Sequence, residues 1–144
     1  MADRYFQCPS VSLALAYSKR KVPVYKYRWN HILDLPHFLR LYRKLGVFHF
    51  SEVPMIFTQK AFLFGEERIL ARIANNAWTS FAARGVPDMD YDELGDYELW
   101  PLYSEKNKRA NVVFQTPIIS MYTESDERRD EKCSLWKAIE RKRE

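Results

Sequence analysis

The chain has 144 residues, room for one ordinary domain, and its 47% hydrophobic and 15% aromatic content excludes disorder over the whole length. A net charge of +4 is modest for a nucleic-acid binder, and the four glycines (Gly46, Gly65, Gly85 and Gly95) are too scattered for a phosphate-cradling loop. The two cysteines, Cys8 and Cys133, fit no zinc spacing, and no stretch is long and apolar enough to span a membrane.

Met1 to Phe6 include Asp3 and Arg4 and lack the apolar run of a signal peptide, so no export signal is expected in the chain as written. Pro9 suits the first turn of a helix running to about Lys21. Val22 to Trp29 reads as a strand, with Tyr25, Tyr27 and Trp29 on one face and Val24, Lys26 and Arg28 on the other. Pro23 belongs near its start, where a missing N–H costs least. A loop follows to Pro36, then a short helical piece from Phe38 to Lys44 that ends at Gly46. Val47 to Phe57 is apolar but irregular and reads as loop with a short helix, interrupted by Pro54.

The clearest element is a helix from about Glu66 to Arg84, where Ile69, Leu70, Ile73, Ala77, Trp78 and Phe81 recur at helical spacing. Glu66 and Glu67 in its first turn and Arg84 in its last complement the helix dipole. Gly85 suits the left-handed residue beyond the helix end, and Pro87 stops continuation. Residues 86 to 111 read as connection, Val112 to Gln115 as a short strand, and Glu127 to about Arg143 as a last helix. On that helix Cys133, Trp136 and Ile139 share one face. The order is that of an α/β protein with only one or two strands. A parallel strand needs neighbours on both sides and helices over its faces. The chain alone does not build such a sheet, which implies a missing part.

Four segments resemble the type-B carboxylesterases and cholinesterases, in that family's order and over nearly the whole chain. Val22-Pro23-Val24-Tyr25-Lys26-Tyr27-Arg28-Trp29-Asn30-His31 resembles the strand before the family's histidine loop. Gly46-Val47-Phe48-His49-Phe50-Ser51-Glu52, followed by the apolar run to Phe57, resembles that loop. Ala77 to Asp88 resembles a helix ending in Trp-x-x-Phe-Ala-x-x-Gly-x-Pro, and Trp100-Pro101-Leu102-Tyr103 the Trp-Pro-x-Tyr that follows. The resemblance implies the C-terminal part of an α/β-hydrolase fold over residues 1–144, with an incomplete sheet.

In that family His49 would be the catalytic base. A serine hydroxyl is a poor nucleophile until an imidazole takes its proton, and the same imidazole then protonates the leaving alcohol. A pKa near neutrality suits both steps. Gly46 and Glu52 match the loop's glycine and acid. Glu52 is read as a supporting hydrogen bonder; only three residues from His49, it is badly placed to reach behind the imidazole. Phe50 departs from the pattern, which prefers Gly or Ser there. Apart from the resemblance, a lone histidine in an apolar loop reads as a packed, hydrogen-bonded residue. His31 is read as a structural hydrogen bonder and His37 as exposed. Cys8 and Cys133 resemble positions that pair as a disulfide in secreted members; two free thiols are the alternative.

No Gly-x-Ser-x-Gly occurs in the chain, so it holds no nucleophile elbow, and no glycine pair could shape an oxyanion hole. The expectation is a fragment of a Ser-His-Glu ester hydrolase that is inactive alone. Its partners would be the missing N-terminal part of the same fold and, only in the complete enzyme, an ester substrate. No cofactor, metal, nucleic acid or membrane is expected, and the parent would be secreted if it follows the family. A non-catalytic cholinesterase-like adhesion domain or a gene remnant is the second reading; a small basic nucleic-acid binder ranks last. The fragment reading also predicts exposed apolar surface and an open strand edge.

Overall fold

The computed structural model describes residues 3–34, 44–57, 63–89, 100–118 and 121–141. The short helix expected over Phe38 to Lys44 falls almost wholly outside these residues, and Lys44 itself lies in a turn. The chain divides into two compact units.

The first unit gathers three distant stretches, Met1–Lys26, Pro101–Asn111 and Thr123–Glu144. A π-helical turn, Asp3–Gln7, leads into helix α1, Cys8–Lys19, with Pro9 in the first turn as its sequence foretells. The last helix begins as a 3-10 turn, Asp126–Arg129, capped by Ser125, whose Oγ accepts the Glu127 N–H at 3.2 Å. It continues as an α-helix over Asp130–Arg141, with Cys133 buried and Trp136 and Ile139 on its half-buried side. Cys8 and Cys133 form a disulfide with Cα atoms 5.3 Å apart, closing a separation of 125 residues.

Charge is buried throughout this unit. Asp126 is fully buried, forms an ion pair with Lys26 Nζ at 2.9 Å and accepts from Arg129 Nε at 3.1 Å. Glu124, also buried, accepts from Asn111 Nδ2 at 2.9 Å and Arg129 Nη2 at 3.0 Å, and pairs with Arg128. Arg109 meets Asp130 through both terminal nitrogens, at 2.9 and 2.6 Å. Burial above all, with the charge of Asp126, pushes the Tyr103 hydroxyl far above its ordinary range.

The second unit comprises Tyr27–Trp100 and Val112–Tyr122. Strand β1, Tyr27–Trp29, runs parallel to β2, Ala110–Phe114, with Tyr27 opposite Val112 and Trp29 opposite Phe114. The strand expected from Val22 is therefore shorter. Its alternation is present, but among the described residues continuous pairing covers only the three that have a partner in β2; upstream, in the first unit, Val24 O accepts a bond from Tyr103 N–H at 2.8 Å. All five residues of β2 are buried, as befits a central strand. A third strand, β3, Tyr122–Ser125, completes the order β1-β2-β3. Among the described residues β1 has a strand partner on one side only.

Between β1 and β2 in sequence come helix α2, Val53–Ile56, and the long helix α3, Glu66–Arg84. α2 packs against α3. Pro54 does not interrupt this segment. It occupies the first turn of α2, where its missing N–H has no intrahelical acceptor to lose. α3 has the bounds its periodicity predicts, and Gly85 ends it in the left-handed region at φ 75°, donating its N–H to Phe81 O at 2.7 Å. Aromatic rings pack around the strand pair, beside a core of Met55, Leu63, Leu70 and Ile73. The Tyr27 ring meets Trp78 edge-on at 4.8 Å, and Trp29 stacks on Phe114 at 5.8 Å. Large apolar side chains nonetheless remain exposed in this unit, Phe57 at 71% and Phe50 at 64%.

Candidate active site

Residues 44–57 form the loop that carries His49, and its path is set by backbone geometry. Gly46 takes φ 65°, a left-handed conformation that costs a glycine little. Phe48 O accepts the Ser51 N–H at 3.1 Å, and Phe50 O accepts the Val53 N–H at 3.1 Å. These turns feed into α2, where Glu52 O accepts from Met55 N–H at 2.9 Å and Ile56 N–H at 3.0 Å.

Two anchors hold the loop on its inner side. Ser51 and Met55 are fully buried, and Asn75 of α3 donates from Nδ2 to Ile56 O at 2.9 Å, satisfying a carbonyl at the end of α2. The outer side is different. His49 is exposed, and its ring lies 4.0 Å from that of Phe50, tilted by 41°. Phe50 holds φ 75°, a region that bulky residues rarely occupy. The imidazole is thus presented outward from a segment braced within.

Glu52 is half-buried in the residue preceding α2. Its charge acts on Tyr27 of β1, whose hydroxyl is pushed above its ordinary value by burial first and by Glu52 second.

His31 occupies a contrasting environment. It is buried, with Nδ1 2.8 Å from Thr116 Oγ1 and Nε2 2.8 Å from Glu67 Oε1. Glu67 also accepts the Asp34 N–H at 2.7 Å and the Phe64 N–H at 3.2 Å. An ionised carboxylate only accepts, so Nε2 of His31 carries a proton. Burial raises the Glu67 carboxyl, but hydrogen bonds from His31 and the two backbone amides, with the charge of His31, outweigh it and hold the group below its ordinary range. Hydroxyl, imidazole and carboxylate thus stand in line, as in a hydrolytic triad. Buried and saturated with local donors, this set fastens residues 31–34 to the start of α3, the structural part foreseen for His31. Glu67 in that part was not legible: its first-turn position announces only a dipole partner. His37 lies outside the described residues. Among the described residues no group of three or more His, Cys, Asp or Glu side chains could hold a metal ion.

A parallel strand pair with the long helix α3 packed on it through Tyr27 and Trp78 fits the α/β-hydrolase architecture. The PNB esterase structure superposes with a TM-score of 0.70 at 26% identity, over 94% of this chain and 26% of that one. The profile of the carboxylesterase family matches residues 1–136, and the chain belongs to that family. Acetylcholinesterase 1 of Caenorhabditis elegans is 28% identical over 96% of this chain, and acetylcholinesterase 1 of Caenorhabditis briggsae 26% identical over the same share. The chain spans 23% of the length of each of these relatives.

Proposed function

We propose that this chain is the C-terminal part of a carboxylic-ester hydrolase and supplies its general base, His49. One observation carries the reading: an exposed imidazole on a loop whose inner side is pinned by Met55 and Asn75. A catalytic base must reach substrate while its position is fixed from behind. His49 would take the proton of a serine supplied by another part of the fold, then deliver it to the leaving alcohol as the acyl-enzyme forms. Gly46 gives the loop its left-handed turn, and Glu52, the residue before α2, would support it by hydrogen bonding. The 144 residues hold no Gly-x-Ser-x-Gly, so the chain by itself would not turn over esters. The Cys8–Cys133 disulfide suits an oxidising, secreted setting.

The test is ester hydrolysis by the serine-bearing protein that contains this chain, with His49→Gln as the variant. The expected loss in kcat is about 10⁴-fold or more, with unchanged thermal unfolding. A variant that keeps its rate would remove His49 from the chemistry.

The aromatic ring packed on His49 favours a second reading, a non-catalytic interaction domain. It predicts that the native protein fails to react with a serine-directed acylating probe, with or without the substitution.

A further inference from the structure

Phe50 combines two features that local packing does not require. Its backbone sits in the left-handed region, at φ 75°, where a side chain larger than that of Gly or Asn is an outlier. Its side chain is 64% exposed, so burial of the phenyl ring does not compensate for that backbone. Among the ring contacts of the described residues, that of Phe50 is with His49, at 4.0 Å between centroids. A strained residue whose side chain rests on a reactive group points to function.

We propose that Phe50 is a specificity-determining residue: its ring, packed on the His49 imidazole, fills the space beside the leaving alcohol and selects esters of small alcohols over bulky ones. This rests on the reading of His49 as the base. The chemistry then fixes which side of the ester is affected. The proton taken from the serine is handed by the imidazole to the alcohol oxygen as the carbonyl–oxygen bond breaks, so the alcohol must lie against that imidazole. Whatever covers the imidazole competes with the alcohol for volume. The acyl group, bonded to the carbonyl carbon, extends away from the departing oxygen and is left unrestricted by the ring.

The test uses the serine-bearing protein that contains this chain, with Phe50→Gly and Phe50→Leu. Glycine suits φ 75° and leaves folding undisturbed, while leucine keeps bulk but has no aromatic ring current. Imidazole proton shifts of His49 read the ring contact directly, without reference to activity. The parent should show an upfield shift that both variants lose. In hydrolysis, Phe50→Gly should raise kcat/KM for a tert-butyl ester relative to the methyl ester of the same acid by about tenfold or more. Phe50→Leu should change that ratio much less, and a series varied in the acyl group should not respond. A His49 signal indifferent to both variants would overturn the proposal whatever the enzyme does. An alcohol preference unchanged in Phe50→Gly, in an enzyme that still needs His49, would overturn it while leaving the base assignment intact. Hydrolysis surviving His49→Gln would overturn both.

Discussion

The two units are held together with different emphases. The first collects stretches from both ends and the middle of the chain, crosslinks two of them through Cys8 and Cys133, and buries Asp126, Glu124, Arg109 and Lys26 among them. The second relies on aromatic packing of Tyr27, Trp29, Trp78 and Phe114, and leaves apolar rings exposed on its histidine-bearing side. The difference reflects what each unit can draw on. Segments far apart in sequence lose much chain entropy on meeting, and a crosslink removes part of that loss from the unfolded state. Both units leave large apolar side chains exposed, Tyr5, Leu13 and Leu135 in the first and Phe50 and Phe57 in the second, as expected of a family member that spans about a quarter of its relatives' length.

The largest effect should come from the crosslink. Replacing Cys8 and Cys133 by serine should cost about 4–5 kcal/mol in the chain-entropy model, given the separation of 125 residues. Urea unfolding of the double variant against the parent measures it, and an unchanged midpoint would mean that the ionic network alone joins the three stretches. Next comes that network. Asp126→Ala takes a fully buried carboxylate from Lys26 and Arg129, and removing one partner of a buried ion pair should cost about 3–5 kcal/mol. A loss below about 1 kcal/mol in the same assay would show that water solvates this cluster and that the units are more alike than their contacts suggest.

How much of this contrast the sequence displayed depends on the kind of signal. α3 was readable to the residue because its apolar spacing, acidic first turn and Gly85 stop all agree. The segment around His49 was singled out by its family resemblance and not by any periodicity. β1 was overread because alternation reports half-burial, whereas a ladder exists only where a partner strand lies alongside, here Tyr27–Trp29. β3 was not read at all. Tyr122-Thr123-Glu124-Ser125 has no apolar alternation, and its inward residue is Glu124, whose burial is offset by Asn111, Arg128 and Arg129. A network assembled from distant stretches leaves no local pattern.

A smaller effect sets the pH response of the second unit. The folded pKa of Glu67 is depressed below its ordinary value of 4.5. Such a group contributes stability that is fully present above the unfolded pKa and is lost as pH falls through the folded one. Stability measured at successive pH values should therefore decline below about pH 4.5, and Glu67→Gln should flatten that part of the curve while lowering stability near neutrality. An acid limb that keeps its slope in the variant would assign the titration to the carboxylates of the first unit, Asp130 among them, whose carboxyl is lowered chiefly by its hydrogen bond from Arg109.

The smallest change addresses the brace itself. Asn75 donates a single half-buried hydrogen bond to Ile56 O, and Asn75→Ala should cost about 1 kcal/mol in global stability. Its local consequence should be larger than that figure suggests. Met55 holds the middle of the segment by burial, but the carbonyl at the end of α2 would lose its side-chain donor. The last turn of α2 should then fray, and the His49 loop that leads into it should loosen. Hydrogen exchange at the amides of Met55, Ile56 and Phe57, which donate to Glu52 O and Val53 O, should accelerate in the variant, while amides in the middle of α3 keep their protection. Uniform acceleration along α3 as well would mean that Asn75 serves the helix and not the loop. Faster exchange confined to residues 53–57 would identify the outward presentation of His49 as a property built by α3, the one element whose sequence announced its position without ambiguity.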